Sequence, residues 1–198
     1  SASGFNNAGT LKLESITAGY QVNLAVTSGT LTNSSTGIIN VNAGAGGGRS
    51  ITANLDNQGT VNVNTDLSFN KANATYSNSS NFNIATGKTL TLSSTSPVFN
   101  QNGGTLAVNG TYNHTAGAFN FTGGAITGTP ILTSLALSIG GGATPGATLV
   151  VRASSTLTSD IPAGQTVWVQ GSGSGTATLT SASGFNNAGT LKLESITA

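Results

Sequence analysis

Apolar side chains in this chain alternate with polar or small ones in short runs. Leu11/Leu13, Val61/Val63/Thr65, Leu90/Leu92, Leu135/Leu137/Ile139 and Val167/Val169 keep a period of two. That period sends successive side chains to opposite faces of an extended strand. Clusters of Gly, Asn, Ser and Asp separate the runs, and these residues form turns. No stretch sustains a helical stripe. The pattern predicts an all-β chain of short strands.

The strands recur as phrases. Asn7-Ala8-Gly9-Thr10-Leu11-Lys12-Leu13 returns as Asn57-Gln58-Gly59-Thr60-Val61-Asn62-Val63 and as Asn102-Gly103-Gly104-Thr105-Leu106-Ala107-Val108. Asn78 to Ile84 and Gly37 to Val41 are looser versions. Taking Leu11, Ile39, Val61, Phe82, Leu106, Ile126, Leu149, Val167 and Leu191 as equivalents gives spacings of 18 to 28 residues. Eight such coils of about 22 residues fill 180 residues. Short strands and turns at this period predict a parallel β-helix, or β-solenoid. A β-sandwich of hairpins is the competing all-β arrangement. The recurrence of one phrase at similar coil positions favours the solenoid. Coils stacked ~4.8 Å apart would rise roughly 38 Å in 180 residues. Asn7, Asn57, Asn78 and Asn102 each stand four residues before the first inward residue of a strand. Stacked coils would align them as a structural amide ladder, each capping a turn and bonding its neighbour.

A longer repeat is exact. Residues 1–18 recur without substitution as 181–198. The expected organisation is one tandem-repeat unit over 1–180 and the start of the next identical unit over 181–198. A natural array and an idealised sequence both fit this duplication. The two segments are expected to share one backbone conformation and the same neighbours, displaced along the axis.

Composition narrows the chemistry. Only 6% of residues are charged, where about 25% is usual. Six Lys and Arg against five Asp and Glu leave a net charge of +1. The basic residues are scattered, so no patch predicts nucleic acid as a partner. No apolar run approaches the ~18 residues of a membrane span. The chain has no Cys, so disulfides do not staple it.

Candidate sites are sparse. Glycoside hydrolysis needs two carboxyls facing each other across a scissile bond. Asp56 and Asp66 lie at different turns of one coil, with no base or Arg aligned to them. His114, the single histidine, stands in the polar stretch Asn113-His114-Thr115 and reads as an exposed turn residue. Gly44 to Ser50 is rich in glycine but lacks the Lys and helix of a phosphate loop. The Asp-bearing nonapeptides of calcium β-rolls are absent. No catalytic residue, metal ligand or cofactor is expected. Trp168 lies between two inward valines and is expected to face outward as a possible surface contact.

The phrases Asn-x-Gly-Thr-Leu/Val-x-Val/Leu, Leu55-Asp56-Asn57-Gln58-Gly59-Thr60 and Ile161-Pro162-Ala163-Gly164-Gln165-Thr166-Val167 resemble the repeats of large bacterial surface proteins of the filamentous-haemagglutinin and autotransporter-passenger type. The resemblance implies a secreted β-helix at the cell surface, with a structural or adhesive role. The leading expectation is a stiff filament or stalk segment. Its partners would be adjacent repeat units of the same chain, with lateral association into fibres. An adhesin module binding glycans or another cell surface is the alternative. A polysaccharide-acting β-helix enzyme comes third.

Overall fold

The structure is a computed structural model that describes every residue except Ala2, Ser174 and Ala198. Its described residues form strands, turns and bends, with no helix. Every strand-to-strand pairing is parallel and joins one coil to the next, which makes the fold a parallel β-solenoid of about nine turns of roughly 22 residues. The sandwich alternative falls, because hairpins would pair antiparallel.

Each full coil passes through three faces. The first contains β1 (Phe5–Asn7), the later half of β3 (Val22–Asn33), the later half of β5 (Arg49–Asn57), β8 (Thr75–Asn78) and β11 (Val98–Gln101). It continues through β14 (Ala118–Gly128), β16 (Ala136–Ala143), β18 (Ser154–Leu157) and β20 (Thr178–Thr180). The second contains β2 (Thr10–Ser15), β4 (Ile38–Gly44), β6 (Thr60–Val63), β9 (Asn81–Ile84), β12 (Thr105–Val108) and the end of β14. The third opens with the early halves of β3 and β5, then β7 (Leu67–Phe69), β10 (Thr89–Leu92) and β13 (Thr111–Thr115). It ends with β15 (Ile131–Thr133), β17 (Thr148–Arg152), β19 (Thr166–Gly171) and β21 (Thr190–Ser195).

Inward residues stack as columns. On the third face the column runs Leu24, Ile51, Phe69, Leu92, His114, Leu132, Val151, Val169 and Leu193. Aromatic rings fill the middle of the tube. Phe69 stacks on Tyr76 with centroids 4.2 Å apart, and Phe99 stacks on Phe119 at 5.7 Å. Offset and edge-on contacts of this kind add to plain area burial.

The choice of equivalent positions read from sequence needs one correction. Leu11, Ile39, Val61, Phe82, Leu106 and Ile126 do form one register column, on the second face. Leu149, Val167 and Leu191 form another, on the third. After β14 the second face holds no named strand among the described residues. It shrinks to corners around residues 144–147, 161–165 and 187–189. Pro145 and Pro162 lie in the first two of these corners, and proline has no N–H to give a ladder. From Leu11 to Leu191 the chain therefore winds eight coils and one further face.

The duplicated ends consequently differ in setting. Thr190–Ser195 is a strand, as Thr10–Ser15 is. Its place, however, is the third face, beside β19, whereas β2 lies on the second face beside β4. Phe5–Asn7 pairs along its length with β3, but Asn187 makes a single bridge to Ile161. The expectation of shared neighbours fails because 180 residues are not a whole number of coils.

Candidate functional site

The polar features of the solenoid are ladders. At the corner where the first face ends, Asn7 Nδ2 donates to Asn33 Oδ1 at 2.8 Å, and Asn33 Nδ2 donates to Asn57 Oδ1 at 2.7 Å. Asn57 donates to Asn78 at 2.7 Å, and Asn78 to Gln101 Oε1 at 2.9 Å. Asn33, Asn57, Asn78 and Gln101 are fully buried. Their amides also cap backbone carbonyls, including Asn57 Nδ2 to Asn81 O at 3.0 Å. Buried amides of this kind are stable only when their donors and acceptors are all engaged.

Two members of the ladder differ from the sequence reading. Asn102 is not a rung. The corner after β11 is one residue longer than the corner after β8, so Gln101 lies in register with Asn78 and points inward, and Asn102 lies exposed beyond it, accepting from Thr122 Oγ1 at 3.0 Å. Asn33 is a rung that constant spacing misses. It stands six residues before Ile39 because its corner is longer. The usable signal is the alternation Leu31/Asn33, which continues the inward set of its strand.

Outward amides form shorter ladders of their own. Asn83 donates to Asn62 at 3.0 Å, and Asn62 to Asn40 at 2.9 Å. Asn120 donates to Asn100 at 2.8 Å. The same residue type thus rivets adjacent coils inside and outside the tube.

His114 is buried, not an exposed turn residue. It follows Tyr112 by two on β13, so both point inward. Nε2–H donates to Pro97 O at 3.3 Å, which leaves Nδ1 to accept from the Tyr112 hydroxyl at 3.3 Å. Burial lowers its pKa from 6.5 to about 4, against the smaller upward pull of backbone carbonyls. Burial also raises the Tyr112 phenol well above its ordinary range. Both groups are neutral core members.

The glycine-rich loop is built around a cation. Arg49 is buried, and its guanidinium donates to the carbonyls of Asn42, Ala43, Gly46, Gly47 and Gly48. Gly46 and Gly47 take positive φ values of 120° and 77°, which favour glycine. The loop presents carbonyl oxygens to an internal charge, the opposite polarity from a phosphate cradle.

The carboxylates are engaged within the solenoid. Asp66 accepts from Thr89 N at 2.8 Å, and Asp160 from Asn186 N at 2.7 Å. Asp56 accepts from Gln58 at 2.7 Å. Glu14 accepts from Asn42 at 3.3 Å, and Glu194 pairs with Lys192 at 2.9 Å. Among the described residues no three His, Asp or Glu side chains cluster to hold a metal. Trp168 is outward and half-buried on β19, with Val150 beside it in register and the Lys192 ammonium 4.1 Å from its ring centroid. A cation already covers one ring face.

An apolar groove opens at the last coil. Val169, Ala177, Leu179, Phe185, Leu191 and Leu193 line it. Leu193 is 69% exposed, whereas its sequence equivalent Leu13 is 2% exposed where Val41 pairs with it. No described helix is long and apolar enough to cross a membrane. No protein-family model matches the chain, and neither a curated protein nor a solved structure matches it.

Proposed function

We propose that this chain is a structural segment of a secreted, repetitive surface filament or stalk, acting as a stiff extracellular spacer. The location and the bacterial setting rest on the resemblance of its phrases to haemagglutinin-type surface repeats. The observation that carries the mechanical role is the destination of the polar groups. Buried amides bond from coil to coil, several carboxylates cap the next coil, and the open groove is a cross-section of the core. In this reading the chain transmits force along its axis and performs no catalysis. Proteins with one, two and three 180-residue units, imaged by negative-stain electron microscopy, provide the test. Eight coils and one face at ~4.8 Å per coil should lengthen a narrow rod by about 40 Å per added unit. Compact particles growing in all dimensions would sink the proposal.

A further inference from the structure

One corner of the solenoid is longer than stacking requires. Between the third and first faces, Ala153 alone separates β17 from β18, whereas residues 172–177 separate β19 from β20. The longer corner is pinched where Ser172 N donates to Gly175 O at 3.1 Å and Gly175 N donates to Ser172 O at 2.9 Å. Ser172, Gly175 and Thr176 form one wall of a lateral cavity of about 210 Å³, and Thr133, Arg152 and Gln170 form the wall beneath. No lining residue belongs to the duplicated ends. Insertions that add nothing to a solenoid core are where such scaffolds carry binding groups.

The cavity is furnished with hydrogen-bond donors. Arg152 is half-buried, and its Nε and Nη2 both donate to Gln170 Oε1, at 2.9 Å from Nε. Those two donors fix which end of the Gln170 amide is oxygen. Gln170 is 4% exposed, and its Nε2 has no acceptor among the described residues. The same holds for Nη1 of Arg152. Arg49 is surrounded by carbonyls of its own loop; Arg152 has a single amide oxygen. Thr133, Ser172 and Thr176 add hydroxyls to the lining, and no described carboxylate joins them. Glu194 stands in register with Gln170 but pairs with Lys192 at 2.9 Å.

We propose that this cavity binds the carboxylate of an acidic sugar, one uronate unit, with Arg152 as its anchor. A guanidinium fork matches the two oxygens of a carboxylate, and the hold of Gln170 pre-orients it. The Gln170 Nε2 donor and the hydroxyls suit the remaining sugar oxygens. Pockets for drug-sized ligands run to ~300–1,000 Å³, so this one takes a single ring. The site stands on the cavity alone and does not rest on the filament reading.

The test titrates the nitrogen-15-labelled chain with glucuronate, glucose or sodium sulfate at constant ionic strength, and follows the amide shifts of Ala153, Gly175 and Thr176. Glucuronate should saturate these shifts with an affinity at least about tenfold above that for glucose and for sulfate. Arg152→Met should weaken glucuronate by at least about tenfold. Gln170→Glu is the control for folding. It keeps the side-chain shape and gives Arg152 an internal carboxylate, so the melting temperature should hold while glucuronate binding falls by a similar factor. Equal affinity for glucose would remove the role of the charge, and equal affinity for sulfate would remove the sugar. Either result overturns the proposal, as does the lack of any saturable shift or undiminished binding by Gln170→Glu.

Discussion

At the scale of single residues, the solenoid depends on a few buried polar side chains among many interchangeable ones. Asn57 donates two hydrogen bonds and accepts from Asn33. Asn57→Ala removes these and the bond from Gly59 N, and it leaves the buried Asn78 Oδ1 without the donor it had, while Asn33 Nδ2 keeps the carbonyls of Gly37 and Thr60. Each unsatisfied buried group costs about 1–3 kcal/mol, so a loss of about 3 kcal/mol is expected in urea denaturation. Asn102→Ala should stay within about 0.5 kcal/mol, because its side chain is exposed. Equal effects would contradict the ladder as described. His114 supplies a pH dependence. Its pKa is about 4 in the fold against 6.5 when free. Between these values the unfolded chain binds the proton that the folded chain refuses. The stability from this group is therefore intact above pH 6.5 and falls as pH drops toward 4, by an amount of order 3 kcal/mol. Urea midpoints measured from about pH 7 to pH 4 should show this slope, and His114→Gln should remove it. A wild-type slope that survives in the variant would assign it elsewhere.

At the scale of elements, strand identity is legible in the sequence and strand placement only partly so. Period-two alternation locates Leu11/Leu13, Val61/Val63 and Leu90/Leu92, because in-out alternation is a local property of extended backbone. The ladder is half legible. Constant spacing finds Asn57 and Asn78, but corners of different length displace Asn33 and shift the rung from Asn102 to Gln101. Local polarity disguises His114 as a turn residue, although two-residue spacing from Tyr112 places it on an inward row. The loop between β4 and β5 reads in sequence only as a glycine-rich stretch; five carbonyls around Arg49 give it a fixed centre. Arg49→Met keeps the apolar stem and removes every donor. Hydrogen bonds to charged groups are worth about 1.5–3 kcal/mol each, so the variant should lose at least about 2 kcal/mol in thermal or chemical denaturation. An unchanged melting temperature would mean that the guanidinium contributes nothing to the loop.

At the scale of the whole molecule, sequence reveals the architecture because phrases return at the coil period. It does not reveal the phase of the winding. Corners around Pro145 and Pro162 replace second-face strands, and no alternation pattern records which wall a strand will join. The result is visible in Thr-Leu-Lys-Leu-Glu-Ser, which forms a strand on the second face as residues 10–15 and on the third as residues 190–195. Those six letters specify inside and outside, but not direction around the axis. Azimuth belongs to the arithmetic of all preceding corners. In a continuous stack of such units, each unit would point its Trp168 and Lys192 a third of a turn away from the last. Only the fourth unit would again face the way of the first. A corner that gains or loses a few residues would leave the strand code untouched and re-aim everything beyond it, as a change of thread pitch turns a screw head without altering the metal.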